Sequence, residues 1–146
     1  KRLDEKSWVS VKEAENGDVI MPGQVLIAPG GDSHMQIRKV NAEYQVVIKQ
    51  GPRVNGHCPS VDVLFESVAK VYKNNALGVI MTGMGRDGAV QLAQMRKEGA
   101  WTIGQDEQSS VVYGMPKVAW EQGGVQKQVP LLQIADEISA LARENL

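Results

Sequence analysis

ALGVIMTGMGRDG, residues 76–88, decides how this chain is read. Residues 76–82 form a nearly continuous apolar run rich in Leu, Val and Ile, the pattern of a short strand buried on both faces. The glycine-rich turn Gly83-Met84-Gly85-Arg86-Asp87-Gly88 follows, and the next segment places Ala89, Leu92 and Ala93 on one side of a helix that ends at Gly99. WTIG at 101–104 is the next strand candidate. Strand, helix and strand at this spacing make a crossover unit, which requires the two strands to be parallel.

Further elements extend the pattern on both sides. VLIAP at 25–29, stopped by Pro29-Gly30-Gly31, predicts a buried strand, and MQIRKV (35–40) and YQVVIKQ (44–50) predict a hairpin around Asn41-Ala42-Glu43. After the loop GPRVNGHCP, the residues Val61, Leu64, Phe65, Val68, Ala69 and Tyr72 share one helical face, with Ser60 placed to cap and Asp62 in the first turn. MPKVAWEQ predicts a short helix before Gly123-Gly124. A last helix over 131–143 carries Leu131, Ile134, Ala135, Ile138, Leu141 and Ala142 on one face, while Trp8, Trp101 and Trp120 read as core or groove walls. The fold class predicted is α/β: a doubly wound, mainly parallel sheet with an antiparallel hairpin insertion. Neither repeats nor a low-complexity linker divide the chain, so one domain is expected. In such sheets sites form at the carboxyl ends of the strands, here the loops after 25–29, 76–82 and 101–104.

Composition narrows the function classes. Sixteen Lys and Arg face seventeen Asp and Glu, giving a net charge of -1, and no block of one sign suggests a nucleic-acid surface. The one cysteine, Cys58, cannot form an intramolecular disulfide, so the cytoplasm is the expected compartment. No apolar run approaches the roughly 18 residues of a membrane helix. The opening KRLDEKSW lacks an initiating methionine and reads like the end of a helix already under way, so Lys1 is expected to be a cut point.

Three readings of the turn compete. G-x-G-x-x-G between a strand and a helix, with Asp106 about twenty residues on, matches a dinucleotide fingerprint. Asp87 argues against it, because its carboxylate stands where a pyrophosphate would need the helix amides. A second reading makes Asp87 an acid that orients a histidine, with the Met84 backbone amide aimed at a developing oxyanion. The third makes Asp87 simply the cap of the helix it precedes. Among other candidates, Ser109 and Ser110 read as loop and capping residues, since neither sits in a tight glycine elbow. His57 and Cys58 are adjacent and point apart in an extended loop, unsuited to a nucleophile pair. Asp32, His34, His57 and Cys58 lack a metal-ligand spacing, and no metal site is expected.

GQVLIAPGGDSHM, GPRVNGHCPSVDVLFESVA, VIMTGMGRDGA and GQDEQSSVVYGMPKVAWEQGGV, in that order, resemble the successive motifs of the catalytic domain of the chemotaxis protein-glutamate methylesterases, the CheB family. The resemblance covers nearly the whole chain. It implies a doubly wound α/β domain hydrolysing glutamate methyl esters on the cytoplasmic helices of methylated chemoreceptors, and in many members deamidating receptor glutamines. It makes Asp87 the acid of a Ser-His-Asp triad and Met84 the backbone oxyanion donor, with Gly83, Gly85 and Gly88 shaping the turn, and it implies no cofactor. The family's serine turn and histidine loop do not occur in residues 1–146. The chain is therefore expected to be the carboxyl-terminal part of one such domain, inactive alone, with nucleophile and base upstream. A phosphoacceptor receiver domain in the parent chain is a further expectation. Cys58 stands where the family usually has arginine, and Arg86 where asparagine is common. Asp87→Asn is expected to lower turnover with little effect on folding. A dinucleotide-binding domain and a non-catalytic esterase-derived interaction module remain the alternatives.

Overall fold

The structure is a computed structural model, and it describes residues 1–145. A short helix α1 (Arg2–Lys6) leads to strands β1 (Ser10–Glu13) and β2 (Gln24–Ile27), then to the long hairpin β3 (Ser33–Val40) and β4 (Glu43–Gln50). Helix α2 (Val61–Tyr72) and a single 3-10 turn precede β5 (Leu77–Ile80), α3 (Ala89–Lys97), β6 (Trp101–Gln105), α4 (Met115–Glu121), β7 (Lys127–Val129) and α5 (Leu131–Asn145).

Strands β5, β6 and β7 form one parallel sheet in that order, with Leu77 opposite Trp101 and Ile103 opposite Lys127. Side chains alternate across it. Gly78 and Ile80 point toward α2 and α3, where Ile80, Ala89, Leu92, Met95 and Ala119 make a core with Ala69 of α2. The crossover helix lies so close that a Cβ on Gly78 would stand 2.6 Å from the Leu92 side chain. On the opposite face Leu77, Val79 and Ile103 meet Ile134 and Leu141 of α5. Helices thus cover both faces, as the doubly wound expectation requires. The other side of α2 supports the hairpin, where Met35, Ile37 and Val46 pack with Leu64, Val68 and Val71. Tyr72 and Tyr44 stack there with centroids 4.2 Å apart. Helix α2 therefore joins two cores and fixes the hairpin relative to the parallel sheet.

The α/β expectation, mainly parallel strands with an antiparallel hairpin, holds; the parallel strands are divided between β1–β2 and β5–β6–β7, and the hairpin β3–β4 stands as a pair of its own. Several narrower expectations need correction. The run at 25–29 is not the buried strand expected. Leu26 packs inward, but Val25 and Ile27 are 43% and 44% exposed, because β2 pairs with β1 alone and nothing among the described residues covers its outer side. Trp8, Trp101 and Trp120 are all exposed and not core. On α5 Ile134 is the fully buried residue of the described apolar stripe, while Leu131 and Ile138 face out. A contiguous apolar pattern shows which side chains avoid water, not whether a covering element is present. The hairpin turn is tighter than read, with Asn41 and Ala42 alone connecting the strands and Glu43 already paired.

Candidate active site

The glycine turn leaves the carboxyl end of β5 and delivers Asp87 to the amino end of α2, not to that of its own helix. Gly88 takes the N-cap position of α3 with φ +92, and a Cβ there would lie 2.9 Å from Val61 Cγ1. That close approach lets the Asp87 carboxylate reach across. Its Oδ2 accepts the Val61 N–H at 2.7 Å, and its Oδ1 accepts the Asp62 N–H at 3.2 Å. Ser60 Oγ donates to Oδ1 at 2.8 Å and Asn55 Nδ2 at 3.0 Å. In exchange, Asp62 in the first turn of α2 accepts the Gln91 N–H of α3 at 3.0 Å. Each helix is capped by the other's carboxylate. Ser60, which the sequence suggests as the cap, stands at the N-cap position but makes no capping bond, because its hydroxyl is turned to Asp87.

Asn55 sits between the two carboxylates, its amide group within 2.6 Å of Asp62 Oδ2 as well as 3.0 Å of Asp87 Oδ1. Asn55 and Gly56 both have positive φ and link Val54 to His57 by a reciprocal pair of 3.0 Å backbone bonds, the geometry favoured by Asn-Gly turns. Asp87 is 2% exposed. Burial pushes its carboxyl pKa upward, but the bonds from Asn55, the Val61 amide, Ser60 and the Asp62 amide outweigh this and hold it below the ordinary carboxylate value. The group is therefore a fixed anion at neutral pH.

A second fixed feature adjoins it. Gly83 N–H donates to Val112 O at 3.0 Å, and Met115 N–H donates to Gly83 O at 2.8 Å. Because a trans peptide points its C=O and the following N–H in opposite directions, pinning the Gly83 carbonyl sets the direction of the Met84 N–H. No acceptor for that N–H is present among the described residues. Gly114 makes the approach feasible, since a Cβ there would stand 2.6 Å from Gly83 O. Gly83 itself passes Met115 Sδ so closely that a Cβ would lie 2.6 Å away, and Gly85 holds φ +96. Gln105, buried at the end of β6, accepts the Thr82 N–H at 2.8 Å and donates to Ser109 O at 2.8 Å, tying the turn to the 106–113 loop. Met84 is 79% exposed.

The other candidates fall elsewhere. Asp106 accepts the Ser109 N–H within its own loop, and Ser109 Oγ accepts the Leu131 N–H of α5, so Ser109 does act as a capping residue. His34 is buried with both ring nitrogens engaged, Nδ1 by Ser60 N–H and Nε2 by Pro52 O. Asp32 bonds Gln50, and Cys58 is a half-buried free thiol. His57 is exposed, with Nε2 3.9 Å from where a Gly85 Cβ would stand. Among the described residues no three His, Cys, Asp or Glu converge as a metal site.

The family model described as CheB methylesterase matches residues 1–138. The chain belongs to the CheB methylesterase family. It is 58% identical over 139 residues to protein-glutamate methylesterase/protein-glutamine glutaminase 2 of Albidiferax ferrireducens, covering 95% of this chain and 40% of that protein. The protein of that type from Salmonella typhi is 52% identical over the same length, again at 40% of its extent. The crystal structure of the Thermotoga maritima CheB methylesterase catalytic domain superposes with a TM-score of 0.92 at 35% identity, covering 96% of this chain and 74% of that one. This chain therefore spans about 40% of the length of the curated relatives it matches.

For a CheB-family chain the dinucleotide reading of the turn has no support in the geometry. The Gln91 amide in the first turn of α3 is already bonded to a carboxylate, and Asp106, which would have to reach a ribose, is held inside its own loop. Sequence reasoning proposed Asp87, Met84 and the glycines, and it missed Asn55, Ser60, Gln105 and Gly114 as their partners. Asn55-Gly56 was a legible turn signal. That its amide would bridge two acids from different elements was not legible.

Proposed function

We propose that this chain is the carboxyl-terminal part of a CheB-type catalytic domain, and that the whole protein is a serine-type protein-glutamate methylesterase, and also a glutamine deamidase, acting on chemoreceptors in the cytoplasm. The observation that carries this reading is the pairing, on one turn, of a fixed carboxylate at Asp87 with a peptide whose Met84 N–H is held in a set direction by its neighbours. The nucleophilic serine and basic histidine come from outside these 146 residues. The serine hydroxyl attacks the methyl-ester carbonyl while the histidine takes its proton; Asp87 accepts a hydrogen bond from the other imidazole nitrogen and fixes its tautomer. The Met84 N–H stabilises the tetrahedral oxyanion. Protonated by the imidazolium, methanol leaves, and water then hydrolyses the acyl-serine to a free carboxylate. The greater length of the relatives fits an additional regulatory domain in the parent chain, for which a phosphoacceptor receiver is our reading.

Methanol release from methylated receptor by the full-length protein tests the assignment. Asp87→Asn should lower turnover by about four orders of magnitude. Unaltered turnover in that variant would remove Asp87 from the triad. The isolated 146-residue chain should release no methanol; release that disappears when one of its own serines is replaced would place the nucleophile within it.

A further inference from the structure

We propose that Ser60 and Asn55 are positioning residues of the esterase site: by filling Oδ1 of Asp87 they leave Oδ2 as the oxygen that accepts the imidazole N–H of the base. This rests on Asp87 being the triad acid.

An ionised carboxylate offers about four lone-pair directions, two on each oxygen. Oδ1 receives three donors, from Asn55, Ser60 and the Asp62 amide, at 3.0, 2.8 and 3.2 Å. Among the described residues Oδ2 receives only the Val61 amide, at 2.7 Å. A further donor therefore finds a free lone-pair direction at Oδ2 and none at Oδ1. The two side chains that create this asymmetry are themselves braced. Ser60 N–H is bonded to Nδ1 of the buried His34, whose Nε2 is anchored on Pro52 O. This makes a continuous chain from the 51–59 loop through β3 to the carboxylate. Asn55 is held by its tight turn and by Asp62. With donors on both oxygens from α2 and from the loop, the carboxylate plane cannot rotate without breaking several bonds. A triad acid needs that fixity, because turnover falls steeply when the base is misaimed. Asp62 of α2 shares Asn55 with Asp87, and His34 of β3 reaches it through Ser60; His57 and Arg86 belong to the flanking loop and turn.

The test uses the full-length protein and methylated receptor, with kcat, KM and the pH profile measured for Ser60→Ala, Ser60→Thr, Asn55→Ala and Asp87→Asn. Ser60→Ala and Asn55→Ala should each lower kcat about tenfold with KM nearly unchanged. Each substitution leaves more charge on the carboxylate, which favours the imidazolium. The acid limb of the profile should therefore move upward by several tenths of a pH unit. Ser60→Thr, which keeps the hydroxyl, should restore both. A fall in melting temperature in Ser60→Ala and Asn55→Ala with wild-type kcat and pH profile overturns the proposal, leaving both residues as structural braces. Should Ser60→Ala not fold, Ser60→Cys, a weaker donor, carries the same readouts. Loss of activity in Asp87→Asn alone, with the other variants at wild-type rates, refutes the positioning role and spares the acid; full activity in Asp87→Asn removes the acid assignment itself.

Discussion

Replacing Gly114 by alanine separates the aim of the Met84 N–H from every other property of the site. Gly114 has φ -103 and ψ -73, outside the left-handed region that favours glycine, so the change demands no positive φ of alanine. The obstacle is the new Cβ, which would stand 2.6 Å from Gly83 O, 3.1 Å from Gly85 N and 3.3 Å from Met84 Cα. All three are backbone atoms, and none can swing away as a side-chain tip would. To reach even a 3.0 Å separation, the Gly83 carbonyl must retreat by at least about 0.4 Å, from 3.0 minus the 2.6 Å present. The carbonyl is held at 2.8 Å by the Met115 N–H, so a retreat stretches that bond and tilts the peptide carrying the Met84 N–H. Removing an oxyanion donor outright costs about a hundred- to a thousandfold in kcat. A displaced but surviving donor should cost about ten- to a hundredfold, with KM for methylated receptor nearly unchanged. Gly30→Ala, at a position with open space and no positive φ, is the matched control and should be neutral. The measurement is kcat and KM for methanol release, beside a thermal melt of each variant. A Gly114→Ala protein with wild-type kcat would refute the reasoning, whatever its melting temperature.

The exchanged caps bear on stability. Asp87→Asn should destabilise the fold by about 2–3 kcal/mol, because an NH2 group must face either the Val61 N–H or the donors at Oδ1; chemical denaturation measures this, and a stability equal to wild type would contradict it. The sequence-based expectation of little effect on folding is revised on this ground. Asp62→Ala should cost about 1–2 kcal/mol by uncapping α3 at Gln91 and freeing Asn55, read by the same denaturation. For pH, the folded pKa of Asp87 lies below its unfolded value, so its contribution is complete above the unfolded pKa and is lost as pH falls through the folded one. The melting-temperature gap between wild type and Asp87→Asn should hold steady from pH 7 to about 5 and narrow below about pH 3. A gap unchanged at pH 2 would be inconsistent with an ionised Asp87 in the fold.

Sequence by itself determined the elements and the chemistry available to them. The apolar run over 76–82, the glycine turn and the helix face of Ala89 and Leu92 are local signals, set by side-chain period and by where only glycine fits, and all appear in the structure. The four motifs in order identified the family, because the combination is specific even though each turn alone is weak. Tertiary structure decided how these parts face one another. Asp87 could be read as the cap of α3; instead it caps α2, while Asp62 of α2 caps α3. That exchange depends on two helix ends meeting across about 25 residues of chain, and local propensity carries no information about such an encounter. Ser60 and Asn55 became partners of the carboxylate, and Gly114 became the residue that admits Met115 to the Gly83 carbonyl, for the same reason. The exposed sides of β2 and α5 show the converse limit. Periodicity says which face avoids water, but only the packed chain shows whether another element covers it. Residue type and spacing thus marked the turn that carries Asp87 and Met84, while the direction in which each points was set by contacts between segments distant in sequence.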